Sequence, residues 1–349
     1  MKKLILPSIL LVALSAIGTT QAQTIYENYA ITTLSTTETF RIPYGAAVDL
    51  AGNLYVSDAG RYVIFRITPA GQQSVYVGKD GVSGSVDGRG GAARLQSPGQ
   101  LAIDRRGNLY FGDGLGTVRK ISPGRVVTTL AGSPTETGST DGTGSDARFD
   151  GPRSVSLDRF GNIYVADTSN NTIRMITPDN VVTTLAGMAG EAGSADGTGS
   201  AARFFTPNAV ATGRGGYLYV ADSHNNTIRQ ITTPGAVVTT VAGLPGVVGS
   251  ADGTGSDARF NYPESLAIDG ENNLYITDNL NYTIRKMTPE RNVTTLAGSP
   301  GHSGFVDGTG QDARFAQPFA IAVDGLATIY VADSMSFGTG HVRIGVPAE

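Results

Sequence analysis

The stretch Gly161-Asn162-Ile163-Tyr164-Val165-Ala166-Asp167, followed at once by Asn170-Asn171-Thr172-Ile173-Arg174, decides the fold. Ile163 to Asp167 reads as a short apolar strand after a glycine turn, and Thr172 to Ile176 alternates as its antiparallel partner. Working outward, Val155 to Asp158 is a strand before the turn and Val181 to Ala186 a strand after it. The closing Asp recurs at Asp58, Asp113, Asp167, Asp222, Asp278 and Asp333, with gaps of 55, 54, 55, 56 and 55 residues. Repeats start near Pro43, Pro98, Pro152, Pro207, Pro263 and Pro318. A period near 55 with four short strands and no helical periodicity predicts an all-β, six-bladed propeller of four-stranded blades.

The ends of the chain settle how the ring closes. The sixth repeat lacks its fourth strand after His341 to Val346, whereas Tyr29 to Leu34 matches the Val-Val-Thr-Thr-Leu of 126–130 and 181–185. The N-terminal strand is therefore expected to complete the C-terminal blade, where a solenoid would need capping repeats. Ahead of it, Lys2 and Lys3 precede an apolar run from Leu4 to Ile17 and small residues up to Ala22. This layout predicts a signal peptide over 1–22, cut near Ala22, and a single propeller domain over 23–349 that is periplasmic or secreted. Pro7 and the shortness of the run argue against a stable membrane anchor.

Composition narrows the chemistry. The chain has 349 residues, 47 of them Gly, with no Cys, no Trp and 3 His. Disulfides, thiolate metal sites and cysteine nucleophiles are excluded, and multi-histidine metal chemistry is disfavoured. Without the leader, 24 basic face 30 acidic residues, a balance of about −6 that disfavours nucleic acid as a partner. No G-x-S-x-G elbow is present.

These residues resemble the NHL repeat, in the copy at Gly161 to Arg174 and in that at Gly216 to Arg229. The likeness runs over all six repeats, from about residue 43 to 345, and implies the propeller fold together with a family of protein-binding, RNA-binding and occasionally catalytic modules.

Five long connections, 79–97, 133–151, 188–206, 244–262 and 299–317, share Asp-Gly-x-Gly-x-x-Ala-Arg-Phe or a looser copy, and all lie on one face. Their oxygen pattern at Asp141, Thr143, Ser145 and Asp146 is poor for calcium. A structural role is expected instead, with Arg148 and its equivalents paired to a carboxylate and Phe149 and its equivalents plugging the seams between blades. The six repeated aspartates should accept backbone hydrogen bonds at the strand corners. Only six residues separate Thr36 from Pro43, so the sixth-to-first junction has no long loop, and the gap near Tyr44 and Phe319 is the expected approach to the channel.

Small residues, Ala47, Ala102, Ser156, Ala211, Ala267 and Ala322, recur where the first strands should converge. The position just after each Pro varies instead: Tyr44, Gly99, Arg153, Asn208, Glu264 and Phe319. A site on a symmetric scaffold is expected where the symmetry fails. The leading expectation is a monomeric, non-catalytic module without a cofactor. It would bind a protein, peptide or glycan through Tyr44, Arg153, Asn208, Glu264 and Phe319, with Tyr62, His224 and Tyr282 nearby. Catalysis stays open. Six-bladed lactonases and esterases of the gluconolactonase type resemble this architecture and imply one axial divalent cation such as Ca2+, for which Asn208, Asp222 and Glu264 are the candidate ligands.

Overall fold

The computed structural model describes residues 28–34, 36–335 and 339–348; the signal-peptide expectation for 1–22 lies outside them. Among the described residues there are six antiparallel sheets, each a blade whose main strands follow in chain order except in the sixth, which takes its outer strand from the start of the chain. In the third blade the strands are Pro152–Leu157, Ile163–Asp167, Thr172–Ile176 and Val181–Gly187. Neighbouring first strands contact one another around the axis, so the ring closes on its innermost layer.

The clasp forms as the ends of the sequence require. Tyr29–Thr33 pairs antiparallel with Gly340–Pro347, Ile31 opposite Gly345, and joins the blade of Pro318–Val323 and Ile329–Ser334. Tyr29 and Ile31 are buried, and the Tyr29 hydroxyl donates to the carbonyl of Ala327 at 3.0 Å. With no cysteine available, this pairing and its burial join the two ends of the ring.

Five blades exceed the expected four strands. Gly88–Arg89, Gly142–Thr143, Gly197–Thr198, Gly253–Thr254 and Gly308–Thr309, all from the Asp-Gly loops, each add a two-residue strand to the outer edge of the following blade. The first blade, which no long loop precedes, keeps four. These short strands cover edges that would otherwise offer unpaired backbone groups.

The loops are fastened by arginines that the motif reading did not single out. Arg174, fully buried, donates to Asp167 Oδ2 at 2.8 Å and to Asp141 Oδ1 at 2.7 Å, and its guanidinium lies 5.1 Å from the centre of the Phe149 ring. Arg119, Arg229, Arg285 and Arg343 each bridge the corresponding pair of aspartates. The expected pairing of Arg148 holds in its own loop, where it meets Glu136 at 2.6 Å. Its equivalents Arg94, Arg203 and Arg259 turn onto backbone carbonyls of their own loops instead. The plugs Phe149, Phe204, Phe260 and Phe315 are buried as expected. Backbone N–H groups donate to all six corner aspartates, for instance Arg41 to Asp58 at 2.7 Å and Phe205 to Asp222 at 2.7 Å. In the first blade Phe65 replaces the arginine, and Phe40 meets it edge-on at 5.5 Å.

Two outcomes are expected. Deleting residues 28–40 should lower the melting temperature by about 10 °C or more, because about five net hydrogen bonds of ~1 kcal/mol each are lost; calorimetry checks it, and an unchanged transition would contradict the clasp. The second concerns pH. Burial, the largest influence, pushes Asp167 and Asp222 up to about 6 and Asp333 up to about 7, against the pull of their arginines. A carboxyl raised in the folded state contributes stability that is complete below its unfolded pKa and is lost as pH rises through the folded value. The urea midpoint should therefore fall between about pH 4 and about pH 7, and a rising midpoint would reverse the assignment.

Candidate functional site

The residues just after the prolines sit at the upper ends of the six innermost strands, and Glu264 is their meeting point. Its side chain is 1% exposed. Tyr44 donates its hydroxyl to Glu264 Oε1 at 2.7 Å, and Arg153 donates to the same oxygen at 3.1 Å. Asn208, itself buried, donates its amide to Glu264 Oε2 at 2.7 Å. Below them Gln100 reaches from the second blade to the Glu264 carbonyl at 3.1 Å and accepts from Ser265 Oγ at 3.2 Å. Phe319 packs its ring 5.4 Å from that of Tyr44. Every blade thus places at least one side chain in the cluster, and both carboxylate oxygens are engaged.

The electrostatics follow from this enclosure. Burial pushes Glu264 up, opposed chiefly by the Arg153 charge and then by the bonds from Tyr44 and Asn208. Tyr44 is pushed well above the usual phenol range, first by burial and next by the Glu264 charge. Arg153 is held in its charged form, with its side chain 41% exposed and its guanidinium 5.4 Å from the Tyr44 ring centre. The gap at the sixth-to-first junction is bridged by Tyr44 and Phe319. Beneath the bridge the recurring small residues line an axial cavity of about 200 Å³.

His224 lies beside the cluster, stacked on Phe205 at 4.5 Å and edge-on to Tyr262 at 5.0 Å. Burial, then the Arg153 charge, hold its imidazole below the ordinary value. Tyr62 and Tyr282, by contrast, sit in their loops at φ 61, where the third and fourth blades carry Asn171 and Asn226. Among the described residues no hydrogen bond or ring contact joins either to Glu264. Asp222 is also apart from the cluster's bonds, since Arg229 and Asn225 both donate to its Oδ2. Of the three oxygen donors considered for a cation, only Asn208 and Glu264 meet, and a guanidinium already lies on Glu264. Among the described residues no three His, Asp or Glu side chains form a group that could hold a metal.

Three participants escaped the sequence reading: Gln100, Phe205 and Tyr262. Tyr262 is detectable in retrospect, because the residue before each Pro varies as much as the one after it: Ile42, Ser97, Gly151, Thr206, Tyr262 and Gln317. Asn170, Asn225 and Asn281 begin Asn-x-Thr triplets, and each donates its amide to the corner aspartate of its own loop.

No family model matches the chain. Among curated proteins it is 29% identical over 289 residues to Teneurin-3 of Mus musculus, a match covering 71% of this chain and 10% of that protein. It is 28% identical over 311 residues to NHL repeat-containing protein 2 of Homo sapiens, covering 77% of this chain and 42% of that one. The chain is a six-bladed propeller similar in sequence to an NHL repeat-containing protein. It spans a tenth of the first relative and under half of the second. The propeller is also similar to a solved auxiliary nutrient binding protein from Bacteroides ovatus, with a TM-score of 0.66 at 18% identity, covering 93% of this chain and 78% of that one. A gluconolactonase from Xanthomonas campestris superposes at a TM-score of 0.57 and 13% identity, covering 92% of this chain and 90% of that one. Likeness at such identity is a likeness of fold.

Arg153 is the strongest influence holding the Glu264 pKa down, so Arg153→Gln should raise it further. Carbon-detected NMR titration of the Glu264 carboxyl measures this, and an unmoved or lowered midpoint would contradict the geometry.

Proposed function

We propose that this NHL-like propeller is an exported, monomeric, non-catalytic binding module that grips a protein, peptide or glycan on its upper face. The convergence of Tyr44, Arg153 and Asn208, from three different blades, on Glu264 carries the reading. Partly exposed Tyr44, Arg153 and Phe319 offer two aromatic rings and a cation, aromatic and arginine side chains being frequent interface anchors, with His224, Phe205 and Tyr262 extending the surface. Glu264 serves this face as a fixed counter-charge. An acid or base that worked on substrate would need an accessible oxygen, and its oxygens are buried and bonded. The nutrient binding proteins of the same fold support a binding role, and the leader-like 1–22 supports export.

The hydrolase reading rests on the fold it shares with gluconolactonases, and the residues do not favour it, because Arg153 and Tyr44 take up the Glu264 oxygen that a cation would need. The test is a panel of immobilised glycans and peptides probed with the wild-type chain and with Tyr44→Ala/Phe319→Ala. A ligand should be retained by the wild type and lost at least about tenfold in the variant, the weight of an interface anchor. Metal analysis and a lactone and ester screen beside Glu264→Gln form the opposing arm. Stoichiometric metal with turnover that depends on Glu264 would replace the binding reading.

A further inference from the structure

The six-fold pattern fails a second time, on the lower face. In five blades the turn between the first and second strands opens with Asp49, Asp104, Asp158, Asp269 or Asp324. Each carboxylate accepts from N–H groups of its own turn and from the hydroxyl of Tyr55, Tyr110, Tyr164, Tyr275 or Tyr330. The fourth blade has Gly213-Arg214-Gly215-Gly216 at this place. Its Tyr219 hydroxyl meets the Gln230 amide at 3.2 Å, and the Arg214 N–H is held by Asn272 Oδ1 at 2.8 Å. Gly215 and Gly216 have φ near 80°, backbone that favours glycine. This turn therefore has no carboxylate at Gly213 and no side chain at Gly215, whereas Gly216 stands where Gly52, Gly107 and Gly161 stand in the first three blades.

A groove of about 1110 Å³ lies there, between the third and fourth blades. Leu157, Met175, Leu185, Pro234 and Ile268 give it apolar walls. Arg105, Arg159 and Arg214 stand at its edge, all exposed, and no ion pair to any of them is formed among the described residues. Arg159 lies 4.7 Å from the ring centre of Phe160, which is 68% exposed. The two carboxylates at the groove, Asp158 and Asp269, spend their oxygens on their own turns. A second hollow of about 690 Å³ shares Arg105, Leu157, Asp158, Arg159 and Phe160, so the depression continues under the second blade.

We propose that this groove is a second binding site, for an organic anion with an extended apolar body, of which a medium-chain alkyl carboxylate is the simplest case. Apolar walls with a few polar groups at the edge are the ordinary composition of a small-ligand pocket, and the volume lies slightly above the usual range. Guanidinium groups match carboxylates in a bidentate manner, and arginines without internal partners are free to do so. The site is independent of the upper-face cluster.

Calorimetric titration with dodecanoate, well below its micelle concentration, tests the site. Saturable binding near one equivalent is expected, with dodecyltrimethylammonium, the same body on a cation, at least tenfold weaker. Arg159→Gln/Arg214→Gln should weaken dodecanoate at least tenfold while leaving the melting temperature of the ligand-free protein unchanged, since both side chains are exposed. Tyr44→Ala/Phe319→Ala should bind dodecanoate as the wild type does. The proposal is overturned if no heat is released, if the cation binds as well as the anion, if the arginine variant binds undiminished, or if the upper-face variant loses binding.

Discussion

A buried guanidinium between two aspartates organises this propeller. An isolated charge in the interior is costly, and losing one member of a buried pair costs about 3–5 kcal/mol because the other is left without a partner. Arg174 therefore ties two distant segments to one position: the corner at Asp167 and the loop at Asp141. Its flat face covers Phe149, and the two-residue strand of Gly142–Thr143 is held against the blade edge nearby. Five repetitions make long loops into parts of a rigid ring. Where the preceding loop is absent, in the first blade, the arginine is absent as well and Phe65 fills its place, as expected if the charge is kept only where both aspartates are present.

That single exception shapes the upper face. Without a loop ahead of the first blade, Tyr44 and Phe319 meet across the junction, and Tyr44 reaches Glu264 two blades away. The cluster is thus both a strap across the axis and a surface of aromatic and cationic groups. The lower face departs from the pattern in the opposite way, since the fourth blade lacks the turn aspartate that the others keep. On the upper face a loop is missing and on the lower face one turn is replaced, and in both places the four strands of the blade are left intact. Binding proteins built on repeats can acquire sites cheaply in this manner, because the blade supports itself while a turn or a strand end changes.

Legibility in the sequence followed periodicity. Strand pattern, repeat spacing and the displaced Tyr29 to Leu34 segment were enough for the six blades and their closure, because local turns and alternation report a β-meander directly. The buried plugs and the corner aspartates were equally readable, since each recurs at a constant offset. Arg174 and its equivalents recur too, yet they stand 32 to 36 residues from the loop aspartate they bind, and a spacing of that size discloses no contact.

The sequence by itself determined the architecture, the closing strand and the ring of varied residues after the prolines. Only the tertiary structure decided that Tyr44, Arg153 and Asn208 converge on Glu264, that His224 stacks between Phe205 and Tyr262, and that Tyr62 and Tyr282 are held in their loops. The physical reason is that curling six repeats around an axis brings together residues from different blades, as with Tyr44 and Glu264, 220 positions apart in the chain. Periodicity says which positions face the axis, and only their side-chain lengths and hydrogen bonds say which of them touch.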